Sequence, residues 1–196
     1  MTLNYEERYS ATEIARRIQD IARRIEQDYA QGDLVLICIL KGAACFIADL
    51  GRAMQRPVRM EYIDVIRSQA GAGEDEIVDF HFLTKFTVAG ADLIVLKDVI
   101  RTGVIESYLL DQLREERPRS IRFACLVDRP QERKSSFLAD YVLFPSEQGL
   151  LVGYGMEYQG RGGNYPFIAQ VRTETGEVFD PPTGRIRIEP HRPPQT

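Results

Sequence analysis

Behind Ser10 and Glu13, which make a capping box, Ile14, Ile18, Ile21 and Ile25 recur at helical spacing, with Arg16, Arg17, Arg23 and Arg24 off that stripe. The pattern predicts an amphipathic helix reaching about Tyr29 and ended by Gln31-Gly32. The period then changes. Residues 34–40 form an unbroken apolar run of strand length, as expected of a central parallel strand buried on both faces. Gly42-Ala43-Ala44 opens a second helix to about Met54, followed by a strand near 58–66. Residues 67–76, rich in Gly and Ala and acidic, lack periodicity and predict a mobile surface loop between two strands. Further strands are expected at 77–83, 92–96 and 121–127, with shorter ones at 141–144, 150–152 and 167–171. A helix is expected over 104–116, separated from the strand at 92–96 by the loop KDVIRTG.

Strands alternating with helices predict an α/β fold with a doubly wound, mainly parallel sheet. Ligands in such sheets bind at the carboxyl ends of the strands, so the loops after 34–40, 92–96 and 121–127 are the ones to watch. No internal repeat or second domain is visible. The reading is one domain over 1–171 and a C-terminal extension over 172–196. From Asp180 onward that extension carries Pro181, Pro182, Pro190, Pro193 and Pro194, and it is expected to be extended and poorly packed.

A chain of 196 residues holds one well-buried core and is short for two. Its net charge of −4 argues against nucleic-acid binding by the whole surface, while leaving room for a local basic site. The longest apolar run falls far short of the roughly 20 residues that span a membrane. The N-terminus lacks an apolar signal core, so a cytoplasmic protein without a membrane partner is expected. Cys38, Cys45 and Cys125 have no metal-ligand spacing, and Cys38 and Cys125 sit in apolar runs as small buried hydrophobes do. His81 and His191 lie far apart, with no pattern for a triad or a metal site.

Chemistry concentrates in LIVLKDVIRTGVIESYLL, a strand, a short Thr-Gly loop and a helix. Glycine lets a ligand approach the backbone, and a helix start offers N–H groups and a favourable dipole to an anion. This segment resembles the signature of the type I phosphoribosyltransferases: a strand, two acidic residues, two apolar residues, an Asp, then Thr-Gly. Three further segments resemble the hypoxanthine-guanine branch in the same order. ILKGAACFIADL matches its pyrophosphate loop, in which Leu40, Lys41 and Gly42 would present backbone N–H groups across an unusual peptide bond. FACLVDRPQERK matches the following strand and turn, and DYVLFP with LLVGYGMEYQGRGGNYPFIAQV matches the region framing the purine. The resemblance runs from the first helix to about Val171. It implies a small hood over the main sheet, homo-oligomers, and displacement of pyrophosphate from phosphoribosyl pyrophosphate by a purine nitrogen.

Several functional positions implied by the resemblance are replaced. Of the adjacent acids that hold the ribose hydroxyls and help orient magnesium, the first is Lys97 and only Asp98 remains. The acid/base Asp is Arg101, which can neither accept the proton nor give one up. Thr102 and Gly103 are kept, but Val104 and Ile105 follow in place of polar phosphate ligands. The Lys that reads the purine 6-oxo group aligns with Gly149, the stacking aromatic with Leu150 beside Leu151, and the acid near magnesium with Glu157. The pyrophosphate-contacting Arg aligns near Gly163, with Arg161 next to it, and the Ser-Tyr pair of the mobile loop is Ser68-Gln69. Loss of an acid/base group costs about 10²–10⁴ in rate.

Three readings follow. The first is a protein that binds a nucleotide or phosphoribosyl ligand with lost or altered catalysis, because Lys97 and Arg101 put cations where the family has acids. The second is an active phosphoribosyltransferase acting on a purine or another base. The third is a structural role in which Arg101 forms a salt bridge to Asp98 or Glu106. Magnesium is implied if the site is active, and no cofactor if it is degenerate.

Overall fold

The computed structural model describes residues 4–69, 76–83, 87–145, 149–172, 176–178 and 186–188. The first helix, α1 (Ala11–Asp28), begins where the capping box places it: the Ser10 hydroxyl accepts from the Glu13 N–H at 3.2 Å. Its isoleucine stripe is buried, while Arg16, Arg23 and Arg24 face solvent, so amphipathic spacing becomes packing directly. The other helices are α2 (Ala44–Ala53) and α3 (Val104–Glu115).

Seven strands form the main sheet: β2 (Leu34–Ile39), β3 (Arg59–Gln69), β4 (Glu76–Phe82), β5 (Asp92–Ile100), β6 (Ser120–Asp128), β7 (Tyr141–Pro145) and β10 (Ile186–Ile188). Their spatial order is β10-β4-β3-β2-β5-β6-β7. The run from β3 to β7 pairs in parallel, β3 and β4 are antiparallel, and β10 is parallel to β4. A second, antiparallel sheet of β1 (Tyr5–Tyr9), β9 (Ile168–Val171) and β8 (Leu151–Val152) forms the hood.

Every residue of β2 is buried, and its side chains alternate between two cores. Leu34, Leu36 and Cys38 pack with α1 and α2, whereas Val35, Ile37 and Ile39 pack with the side bearing α3. The hood is tied down by the Tyr154 hydroxyl, which donates to Asp49 on α2, and by Tyr9, which stacks on Phe144 at 4.0 Å.

Three expectations change. The strand expected to end near Leu96 continues to Ile100, because Lys97, Val99 and Ile100 pair with Cys125, Val127 and Asp128 of β6. Of the mobile loop expected over 67–76, residues 67–69 close β3 and Glu76 opens β4, paired with Gln69, while 70–75 lie outside the described residues. In the Pro-rich extension, Ile186–Ile188 adds an edge strand to the main sheet, and the rest of the tail from Asp180, with His191, lies outside the described residues. The strand β1 was not foreseen. YEERY is polar and mostly exposed, so nothing in its composition marks it, and it forms by antiparallel pairing with β9. Among the described residues, no helix is long and apolar enough to cross a membrane.

A polar cluster fixes the amino ends of the central strands. The buried Asp92 carboxylate accepts from Arg119 Nε at 2.9 Å and from the Ser120 hydroxyl at 2.7 Å. The Arg119 guanidinium holds the Asp92 carboxyl below the usual carboxylate range, against the opposing effect of burial. A depressed folded-state value gives stability that is present above the unfolded value and is lost as pH falls through the folded one. Asp92→Asn is therefore expected to cost about 2 kcal/mol at pH 7, discounted because solvent screens the half-exposed Arg119, and to flatten the acid limb of stability. Urea unfolding at pH 7 and at pH 3 measures both effects. Equal acid sensitivity of variant and native protein would assign the acid limb to other groups.

Candidate functional site

The carboxyl ends of β5 and β6, the turn after β6 and the hood converge on a cavity of about 170 Å³. Its lining includes Asp98, Val99, Arg101, Arg129, Leu150 and Glu157. Gly149, Leu151 and Met156 complete the wall on the hood side. The volume is below the roughly 300–1,000 Å³ of sites that enclose a drug-sized ligand, so a ligand larger than a single ring system would extend beyond it.

Of the residues anticipated from the sequence, Asp98, Arg101, Gly149, Leu150, Leu151 and Glu157 meet at this cavity. Lys97 stands beside it, its Nζ 2.6 Å from Asp98 Oδ1. Leu40 and Lys41 are joined by a cis peptide bond, the unusual bond that the resemblance implied, and Gly42 follows. A Cβ at Gly42 would overlap Asp98 Oδ2, so only glycine lets this loop close against the carboxylate. Lys41 itself points to solvent. Arg161 is exposed in a turn whose backbone pairs with Tyr158, and it is not among the cavity-lining residues.

Thr102 and Gly103 form the turn into α3. The Lys134 N–H donates to the Thr102 carbonyl at 2.9 Å and Arg133 Nη1 to the Arg101 carbonyl at 2.7 Å, so the segment after β6 fixes the loop's peptide planes. Gly103 occupies the left-handed region at φ 74°, capping α3 without a side chain. A Cβ there would lie 2.6 Å from Ser135 Oγ and 2.9 Å from Phe137 Cβ.

The charges are paired within the site. Arg101 Nε lies 2.7 Å from Glu132 Oε2, and Arg129 Nη1 lies 3.2 Å from the other oxygen of the same carboxylate. Arg129 is only 2% exposed, and its Nη2 donates to the Gly149 carbonyl, linking the turn after β6 to the hood. Arg133 pairs with Asp128. Burial acts to raise the Asp98 carboxyl, yet the Lys97 ammonium and backbone N–H donors hold it below the usual range. Burial pushes the Glu106 carboxyl up, and Lys97 only partly offsets this. Cys38 and Cys125 are buried as expected, with burial raising both thiols.

Two corrections concern Arg101 and the turn after β6. The bridge foreseen from Arg101 to Asp98 or Glu106 runs instead to Glu132, because the short 3-10 turn Pro130–Glu132 lifts that carboxylate to the loop. Arg129 and Glu132 were not singled out from the sequence, although the loop after 121–127 was expected to matter. Their signal was the charged run DRPQERK directly after a buried strand.

A family model described as a phosphoribosyl transferase domain matches residues 4–159. The chain belongs to the type I phosphoribosyltransferase family. Among its relatives, the hypoxanthine-guanine phosphoribosyltransferase of Bacillus subtilis (strain 168) is 30% identical over 166 residues, covering 83% of this chain and 91% of that protein. A crystal structure of a hypoxanthine-guanine phosphoribosyltransferase from Bacillus anthracis superimposes with a TM-score of 0.80 at 29% identity, covering 87% of this chain and 99% of that one. The hypoxanthine phosphoribosyltransferase of Trypanosoma cruzi in complex with the product IMP gives 0.79 at 30% identity, covering 88% and 96%. The main sheet with its antiparallel hood is thus the type I phosphoribosyltransferase fold, closely related to the hypoxanthine-guanine enzymes.

Magnesium takes oxygen ligands, usually one or two carboxylates with water and phosphate. Here one position of the adjacent pair is an ammonium, and Asp98 is already engaged by it. Glu157 lines the cavity from the hood, and among the described residues no cluster of three His, Cys, Asp or Glu side chains could hold a metal ion. At the Lys97–Asp98 end of the site, the residues present do not suit a divalent cation.

Gly103→Ala is expected to destabilise the fold by about 1–2 kcal/mol, the cost of a side chain in the left-handed region, with the contacts to Ser135 and Phe137 adding to it. Urea denaturation measures the change. An unaltered midpoint would mean that the turn relaxes to a right-handed cap.

Proposed function

We propose that the protein binds a phosphorylated ligand of the phosphoribosyl class, a purine nucleotide or phosphoribosyl pyrophosphate, and that its transfer chemistry is lost or altered. The observation that carries this reading is Arg101, a guanidinium in the cavity wall at the family's acid/base position, held there by Glu132. A guanidinium cannot act as the acid/base group, but it is well suited to phosphate oxygens. The IMP bound by the Trypanosoma cruzi relative supports a purine nucleotide as the first ligand to try.

A second reading, an active phosphoribosyltransferase, draws support from Glu132. The turn after β6 brings its carboxylate beside Arg101, so a group able to take a proton is present close to where the family has one. Both of its oxygens face guanidiniums, and one of these would have to leave first.

Calorimetric titration separates phosphate-dependent binding from none. IMP is expected to bind and inosine to bind far more weakly. Arg101→Gln is expected to weaken IMP by roughly 10–100-fold, the worth of a charge-assisted hydrogen bond, while leaving inosine unchanged. Equal affinity for nucleotide and nucleoside, or none for either, would contradict the proposal.

A further inference from the structure

We propose that Lys97 is a built-in cation that takes the place of a divalent metal, so that this site binds a phosphoribosyl ligand without magnesium. The inference rests on the ligand class proposed above and concerns how its charge is met.

Lys97 and Asp98 are consecutive residues near the carboxyl end of β5, with side chains only 13% and 20% exposed and a separation of 2.6 Å between Nζ and Oδ1. On the other oxygen of Asp98, the Gly42 backbone closes in so tightly that no Cβ fits. Glu106 is buried in the first turn of α3, the helix that follows this strand. The ammonium, the carboxylate and the Gly42 backbone therefore lie together, with both side chains mostly buried. A divalent ion needs acceptor oxygens there, and a lysine is a donor only. A ligand carrying several phosphate charges still needs a cation at the ribose end of the site, and a lysine serves that purpose as a point charge. Placing that cation on a mostly buried strand position makes it permanent and independent of free metal.

The test is calorimetry with phosphoribosyl pyrophosphate, once in EDTA and once in magnesium. It uses the native full chain, Lys97→Glu and Lys97→Gln. The native protein is expected to bind with affinities within about two-fold in the two buffers. Lys97→Glu, which restores a pair of adjacent acids, is expected to lose at least about ten-fold in EDTA and to recover in magnesium. Lys97→Gln is expected to lose a similar factor in EDTA, and it decides the matter alone if the Glu variant melts below the assay temperature. Magnesium-dependent binding by the native protein, or metal-independent binding by the variants, would overturn this inference and leave the proposed ligand class standing. Absence of binding in both buffers, with IMP also silent, would overturn the ligand class and this inference together.

Discussion

A carboxylate near the end of a largely buried strand must be met by positive charge or by hydrogen-bond donors, because low-dielectric surroundings penalise it otherwise. At the end of β5 that carboxylate is Asp98, and the side chain that meets it is the neighbouring Lys97. Much of the site's geometry is arranged around this pair. The 40–42 loop can close only because Gly42 presents no side chain to Asp98, and Glu106 lies buried in the first turn of α3. Arg101, three residues further along, would add uncompensated charge to the cavity wall. The turn after β6 supplies Glu132 to hold it, and Arg129 takes the other oxygen and carries the linkage on to the hood carbonyl of Gly149.

The outcome is a phosphoribosyltransferase fold whose site is organised by arginines and a lysine. Where the resemblance implies acids at 97 and 101, this chain has Lys97 and Arg101. Each cation has an acidic partner within the chain: Lys97 with Asp98, Arg101 and Arg129 with Glu132, and Arg133 with Asp128. Unsupported decay would leave charges facing solvent or one another. Closed pairing on adjacent loops points to a site that still holds a defined shape, which ligand binding requires and phosphoribosyl transfer also requires. In this arrangement the carboxylates of Asp98 and Glu132 are both held by cations.

Much of the fold was legible because its core strands are apolar throughout and its first helix carries a capping box and a clean isoleucine stripe. The register of the loop after β5 was legible because Asp98 and Thr102-Gly103 fix it, and the unusual peptide bond at Leu40-Lys41 followed from the resemblance. Elements made by pairing rather than composition were not legible. YEERY becomes a strand only when β9 lies alongside it, and Lys97–Ile100 stay extended because β6 runs beside them, despite the charged residues that suggest a loop. The partners of Arg101 were also out of reach. A bridge across 31 residues depends on how far a 3-10 turn rises above a strand end, and spacing along the chain does not encode that height.

The most direct test of the account is pyrophosphate release by the native protein supplied with phosphoribosyl pyrophosphate, magnesium, and hypoxanthine, guanine or xanthine in turn. The account predicts turnover at least about 10²-fold below that of a relative retaining the acid/base residue, the lower end of what loss of such a group costs. Turnover comparable to that relative would contradict it, and would make the carboxylate between Arg101 and Arg129 the group that handles the proton.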